Sequence, residues 1–356
     1  MTNIKKENLE QDINLSISTD FNEDVIAGFR LFAEVSKMNL TEKDVNKWLY
    51  WFRNNPYGRG IFAIVKDKAK VVGFNALIPV KMRLNGAVIN GAKAEFLGVD
   101  EAYRELTLSG ETVPIPFSMV GKLYRSAAEH GIEALFGVPN KAAAACNLLA
   151  GARLFKIKGR HFFTYFKMPV YNVGAGRNKM ISFAALAATT LNRNFSNIKN
   201  IFRHKKDIAE INDVSVPEDN GSSLNEFLHF DEKMFRFRFP EDRYIYLSAG
   251  DSLFIFNRPD YNQKVFLVYW NTLDIPFSSY LAIFKKIYSY CKSQGANSLH
   301  IMMPEEQSKY YSNFSKCGLN FRDETSEVYL FSPGKQKNIS KKQKDWLLTD
   351  SHRNFI

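Results

Sequence analysis

The residues of this chain best placed to do chemistry lie in one short stretch, AEFLGVDEAYR, at positions 94–104. Glu95 is the carboxylate of an apolar strand that ends at Val99, and Tyr103 and Arg104 sit in the turn that follows. A helix is predicted from about Phe117, then a second buried strand, ALFGV, then a turn at Pro139 and Asn140. A turn leading into a helix presents backbone N–H groups that suit a pyrophosphate. Two strands that part beyond that point leave a slot for a thioester and for the amine that attacks it. In such a slot Glu95 would act as the base for an arriving ammonium. Side chains alternate along a strand, so Glu95 is expected to share a face with Lys93, Leu97 and Val99. A structural pairing of Glu95 with Lys93 or Arg83 at the sheet surface is the alternative.

Several elements must position these residues. VIAGFRLFAEV and VNKWLYWF read as helices, and residues 1–22 as loosely ordered. Residues 61–99 read as a meander of three strands with turns at KDKAK and LNG, in the alternation of half-buried antiparallel strands. The helix from Phe117 carries Met119, Leu123 and Ala127 at helical spacing, and Gly131 stops it. The order then repeats. PYGRGIF is echoed by PEDRYIY, and AIVKDKAKVVGF by YLSAGDSLFIF. PFS opens a helix at Pro116 and again at Pro276, with stops near Gly131 and Gly295. A strand and proline follow each, Pro139 and Pro304, then a segment ending at Gly151 and Gly318. Anchors recurring in one order indicate two modules in tandem.

Composition narrows the class. A chain of 356 residues with 45% hydrophobic and 24% charged residues suits about two globular domains. Three cysteines, Cys146, Cys291 and Cys317, stand at no metal-like spacing and point to a reducing compartment. The polar N-terminus and the lack of a bilayer-length apolar run read as cytoplasmic. The net charge of +11 concentrates in residues 177–206 and in KQKNISKKQK, without a nucleic-acid signature. Solvated linker and tail are the plain reading. A basic helix over 180–206 lying on an anionic membrane is the other. No HExxH, paired CxxC, P-loop or GxSxG is present, and no metal site is expected.

Taken in order, Val99, Tyr103, Arg104, Pro139, Asn140, Ala142 and Gly151 resemble the pattern of the GNAT N-acetyltransferase superfamily. There a V-x-P-x-Y-R-like turn leads into a phosphate loop, and P-N-x-x-A opens a helix closed by glycine. The lead-in WLYWFRNNPYGRGIFAIV resembles the W-x-x-x-NP-x-G start of a subgroup found among sugar-modifying enzymes. The resemblance covers residues 48–165. It implies an α/β fold of two GNAT-like modules, each a mixed, mostly antiparallel twisted sheet flanked by helices. Residues 1–170 would be the acyltransferase domain, 171–222 a basic amphipathic connection, and 223–356 a degenerate copy. The implied activity is acyl-CoA-dependent N-acyl transfer, with acetyl-CoA the first choice of co-substrate. Glu95 would be catalytic. Leu97, Gly98, Val99, Tyr103, Arg104, Gly110, Phe117, Ser118 and Asn140 would hold the cofactor. Asn55, Tyr57 and Arg59 would line the acceptor groove, for an amine on a small polar molecule, an amino sugar first.

The departures matter. After Arg104 the chain reads ELTLSGETVPIPFS, with one glycine and two prolines where the family has a glycine-rich loop. Proline has no N–H to offer phosphate. The loop is therefore a lid over the cofactor, or cofactor binding is weakened or lost. The helix after Asn140 lacks the family's acidic Tyr and offers only Cys146 and Asn147. His130 and His161 are further candidates, His130 more naturally a helix cap and His161 a sheet residue. In the second module Asp274 stands at the corresponding turn, with no glycine. Two rival readings follow: a binding or scaffold protein that kept the fold, and a Fem-like aminoacyl transferase, though without a coiled-coil arm.

Overall fold

The computed structural model describes residues 13–38, 42–169, 172–173, 176–177, 179–200, 209–210, 225–226, 229–260, 262–332 and 346–347. The first half opens with strand β1 (Ile13–Ser18), helix α1 (Glu23–Val35) and helix α2 (Glu42–Arg53). INLSIS alternates apolar and polar residues, and Ile13, Leu15 and Ile17 pack into the core while β1 pairs with the next strand. Residues 13–18 are therefore sheet, not the loose lead the sequence suggested; residues 1–12 lie outside the described residues.

The meander forms as expected, as β2 (Ile61–Asp67), β3 (Lys70–Leu84) and β4 (Ala87–Val99). Asn85 and Gly86 close the β3–β4 hairpin at φ 52° and 82°, the doubly left-handed geometry that a two-residue Asn-Gly hairpin favours. Helix α3 (Ile115–Ser126), strand β5 (Ala134–Gly137), helix α4 (Lys141–Leu149) and strand β6 (Arg153–Tyr165) complete this half. Asn140 caps α4 by accepting from the Ala143 N–H at 2.9 Å.

Helix α5 (Lys179–Asn200) leads on to the second half. There follow α6 (Glu232–Arg238), β7 (Tyr244–Ala249), β8 (Ser252–Asn257), β9 (Lys264–Trp270), α7 (Phe277–Ser293), β10 (Ser298–Pro304), α8 (Tyr311–Lys316) and β11 (Asn320–Phe331). The repeat seen in the sequence is a repeat of topology. A parallel pair, β4 with β5, recurs as β9 with β10, and a helix, α3 or α7, links each pair.

The halves interlock. The sheet runs β1-β2-β3-β4-β5-β11-β6-β10-β9-β8-β7. The last strand of each half thus pairs with the other half's inner strand, β11 with β5 and β6 with β10, and the two last strands pair with each other, all antiparallel. Helices α1 and α2 cover one face of β2–β4 with an aromatic core that includes Phe29, Trp48, Phe52, Phe74 and Phe96. Helix α3 covers the other through Met119, Val120 and Leu123.

Helix α5 falls within the basic connecting segment. It lies along β6, where buried Arg193 donates to the Tyr165 carbonyl at 3.1 Å. It also meets the turn before β11, where a Cβ on Gly318 would stand 2.8 Å from the Arg193 Cα. Arg193, one of the cations of the membrane reading, is thus an internal residue, and residues 201–206 lie outside the described residues. No helix among the described residues is long and apolar enough to cross a membrane.

Candidate functional site

The β4–β5 ladder joins Gly91–Lys93 to Ala134–Phe136 and stops, while β4 runs on to Val99. β5 ends at Gly137, so a notch opens along the rest of β4. At that level β4 carries a β-bulge. Ala76 faces Glu95 and Phe74 faces Gly98, so Asn75 alone opposes both Phe96 and Leu97. Phe96 sits at φ 63°, a conformation that costs a non-glycine residue roughly 1–2 kcal/mol. Its buried ring offsets this among Phe29, Phe32, Trp48 and Phe52, with centroids 4.9–5.9 Å away. The first tryptophan and the phenylalanine of WLYWF, Trp48 and Phe52, therefore help to clamp the bulge.

The bulge changes which residues share a face. Glu95 stands opposite Ala76 and lies on the α1–α2 side, whereas Leu97 and Val99 belong to the core under α3. The simple alternation that grouped Glu95 with Leu97 and Val99 fails because one extra residue inverts the phase.

Lys93 shares the Glu95 face, wholly buried, and its ammonium contacts Glu95 Oε1; the glutamate side chain is 21% exposed. The Lys93 pairing raised as an alternative is thus present, at the notch and not at an outer surface. On the α3–α4 side, the Tyr124 hydroxyl donates to Asn147 Oδ1. A Cβ on Gly137 would lie 3.6 Å from the Ala94 Cβ and 3.8 Å from Asn147 Oδ1, which puts this pair at the base of the notch. Burial pushes the Tyr124 phenol well above its usual range, with smaller contributions from Cys146 and Glu95. Sequence reasoning missed Tyr124: it looked for a tyrosine on α4 and found Asn147, to which α3 brings one.

The phosphate end departs from expectation. Tyr103 donates to Asp67 at 2.7 Å, and Arg104 Nε to the Val99 carbonyl at 3.0 Å, which ties the turn to the strand end. Arg104 is exposed and makes no ion pair among the described residues. The loop carrying Gly110 folds back on itself, and Ile115 donates its N–H to the Leu106 carbonyl at 2.8 Å. Phe117 and Ser118 both donate to the Pro114 carbonyl, at 3.0 and 3.2 Å, and Pro116 has no N–H. The first turn of α3 therefore does not present the unpaired N–H groups that the strand–turn–helix order implied. The two prolines and the loop's own hydrogen bonds use them.

The NPYG turn divides by role. Asn55 donates to the Pro79 carbonyl at 2.8 Å and accepts the Tyr57 N–H at 2.9 Å. Burial, then the Asp231 carboxylate, pushes the Tyr57 phenol up. Asn55 thus moors the turn to β3, and Tyr57 packs against the aromatic core under α1 and α2. Arg59 is exposed and lies on a cavity of about 400 Å³ together with Arg53, Asp20, Phe21, Phe52 and Phe62. Phe62 is in register with Ala76 and so with Glu95, two strands away on the same face. The Phe52 ring stands between, 5.2 Å from Phe62 and 5.9 Å from Phe96.

The remaining candidates lie elsewhere. His130 sits in the turn closed by left-handed Gly131. His161 meets His300 of β10 at 2.9 Å in the middle of the sheet. Burial pushes the Cys146 thiol up to about 11, which keeps it protonated and unreactive. No cluster of metal-binding side chains occurs among the described residues.

Solved structures share this architecture. A putative acetyltransferase from Pyrococcus horikoshii aligns at TM-score 0.53 and 12% identity, over 93% of this chain and 92% of its own. A tandem GNAT protein from the clavulanic acid biosynthesis pathway aligns at TM-score 0.53 and 12% identity, over 91% of this chain and 100% of its own. A GCN5-related N-acetyltransferase from Kribbella flavida aligns at TM-score 0.53 and 11% identity, over 90% of this chain and 72% of its own. No protein-family model and no curated protein sequence matches. The chain has the GNAT fold, an α/β fold with a large mixed sheet.

Proposed function

We propose that this chain is an acyl-CoA-dependent N-acyltransferase, with acetyl-CoA the first candidate co-substrate and an amine on a small polar molecule, such as an amino sugar, as acceptor. The observation that carries this reading is the bulged notch with different chemistry on its two faces. Glu95 lies on the α1–α2 side and the Tyr124–Asn147 pair on the α3–α4 side. A bound acyl-CoA would supply the activated thioester. Leu97, Gly98 and Val99, beyond the last β4–β5 pair, offer strand edge to its pantetheine arm. Arg104, anchored at the strand end, offers charge to its phosphates, with Tyr103, Phe117 and Ser118 nearby in the chain. Glu95 attracts the acceptor nitrogen, Arg59 reads an acceptor group further out, and Tyr124 turns its hydroxyl hydrogen from Asn147 toward the leaving sulfur. Residues 1–170 would carry the chemistry. Strands β7–β11 of the second half complete the sheet.

The occupied N–H groups at the start of α3 favour one other reading, a binding protein that kept the fold. Isothermal titration with acetyl-CoA separates the two. One site per chain, weakened by Arg104→Ala, supports the transferase, and absence of binding overturns it.

A further inference from the structure

We infer that helix α5 is a docking face for an anionic membrane surface. The side it turns to the protein is polar and the side it turns away is apolar, the reverse of a surface helix packed on a core. Ser182, Thr189 and Arg193 form the inner side and are buried. Thr189 donates to the Leu186 carbonyl at 3.0 Å. Arg193 donates to the Tyr165 carbonyl and lies over the Phe166 ring, 5.1 Å from its centroid. The outer side carries Phe183 and Leu191, 67% and 57% exposed, with the exposed Ala184 and Ala188 between them. Positions 183, 184, 187, 188 and 191 follow the helical repeat and are all apolar, so they form one stripe. At the α-helical turn of 3.6 residues, this stripe centres opposite Ser182, Thr189 and Arg193.

A single exposed apolar side chain needs no explanation, but a continuous stripe on one helix marks a contact. Charge selects what fills it. Residues 161–206 contain eight lysines and arginines and no aspartate or glutamate. Arg177 and Lys179 precede the stripe in sequence, and Lys199, Arg203, Lys205 and Lys206 follow it. An apolar stripe between two all-basic flanks matches acyl chains beneath a layer of anionic headgroups. A second copy of this chain would set like charge against like charge. The chain's own C-terminal segment is also basic over residues 335–344. Its Trp346 and Leu347 pair with residues 225–226, and Glu226 pairs with Arg83 of β3, which holds that segment at the first half's sheet.

The structure divides roles that the sequence leaves merged. Arg193 fixes α5 to β6 and takes no part at the lipid. Phe183 and Leu191 enter the boundary between headgroups and acyl chains. The flanking cations approach the headgroups, each strengthening binding by about fivefold. Binding therefore needs both the stripe and the anionic lipid, and it weakens with salt. The inference does not rest on the transferase reading, since it uses no residue of the β4–β5 notch.

The test is co-sedimentation of the full chain with mixed vesicles of phosphatidylglycerol and phosphatidylcholine at about 0.1 M salt. Vesicles of phosphatidylcholine alone are the comparison. The expected result is binding to the mixed vesicles at least about tenfold tighter than to the neutral ones. Phe183→Ser combined with Leu191→Ser should weaken it by about 10–100-fold. Both side chains are exposed, so circular dichroism and thermal unfolding of that variant should match wild type. Ala188→Trp, which adds an interfacial ring to the stripe, should tighten binding, and it decides the matter if the double variant does not fold. No sedimentation of the full chain, or equal binding to neutral vesicles, overturns the inference. A double variant that binds as wild type overturns it too, because the basic flanks would then bind without the helix face. A dimer in light scattering that the double variant returns to monomer assigns the stripe to a second copy and overturns the membrane.

Discussion

Tyr124 of α3 donates its hydroxyl hydrogen to Asn147 of α4, and the pair sits where β4 and β5 separate. The contact joins two helices whose sequences, read singly, suggest only packing. It places a protonated phenol on the face of the notch opposite Glu95. Because burial raises that phenol, it stays a donor throughout the neutral range.

Tyr124→Phe is therefore expected to lower kcat by about 10²-fold while leaving acetyl-CoA affinity nearly unchanged. Single-turnover kinetics beside calorimetric binding makes the comparison. Wild-type turnover in the variant would reduce Tyr124 to a packing residue between α3 and α4. The lost hydrogen bond should also cost about 1–3 kcal/mol of stability, since Asn147 Oδ1 is left without its donor.

Glu95→Gln should destabilise the fold as well as slow the reaction. It leaves the buried Lys93 ammonium facing a neutral amide, and breaking one side of a buried ion pair costs about 3–5 kcal/mol. With Glu95 21% exposed, the lower end is expected. Lys93→Met in the same chain should recover most of that loss, because the charge that needed a partner is gone. Urea unfolding of both singles and the double gives the coupling energy. Additive losses would mean that the two side chains do not act as a pair.

The third expectation concerns the middle of the sheet. His300 Nδ1 lies 2.9 Å from His161 Nε2, and His300 Nε2 lies 2.7 Å from Ser298 Oγ. Burial above all, then the charges of His161, Lys264 and Arg322, pushes His300 down to about 3. The unfolded chain binds that proton near pH 6.5, while the folded chain does not until far lower. Between these values the unfolded state holds more protons, so stability falls as pH falls, by up to about 1.4 kcal/mol per pH unit. Above pH 6.5 this loss is absent. His300→Gln should flatten the slope of unfolding free energy between pH 6 and pH 4, measured by urea titration. An unchanged slope would show that His300 is not the group responsible.

Local signals carried a large part of this structure. Alternation set the β2–β4 meander, Asn85-Gly86 its hairpin, Asn140 the start of α4 and Gly131 the end of the α3 segment. Ordered anchors such as the two PFS segments revealed the doubled topology. These features depend on neighbours within a few residues, so a sequence can be read for them directly.

What only the tertiary structure decided depends on residues far apart in the chain. The bulge at Phe96 needs the rings of Phe29, Trp48 and Phe52 to hold it, and it moves Leu97 and Val99 to the face opposite Glu95. The Tyr124–Asn147 contact spans two helices, and the N–H of Ile115 is used by a carbonyl nine positions earlier. The exchange of β6 and β11 between the halves is set by strand pairing between residues as far apart as Arg153 and Leu330, which no local pattern encodes. The sequence by itself determined most of the elements, their order and the position of Glu95. Whether its partner was Lys93, which face it took and which hydroxyl it faced were decided by long-range packing, because one inserted residue in a strand inverts the phase of every side chain after it.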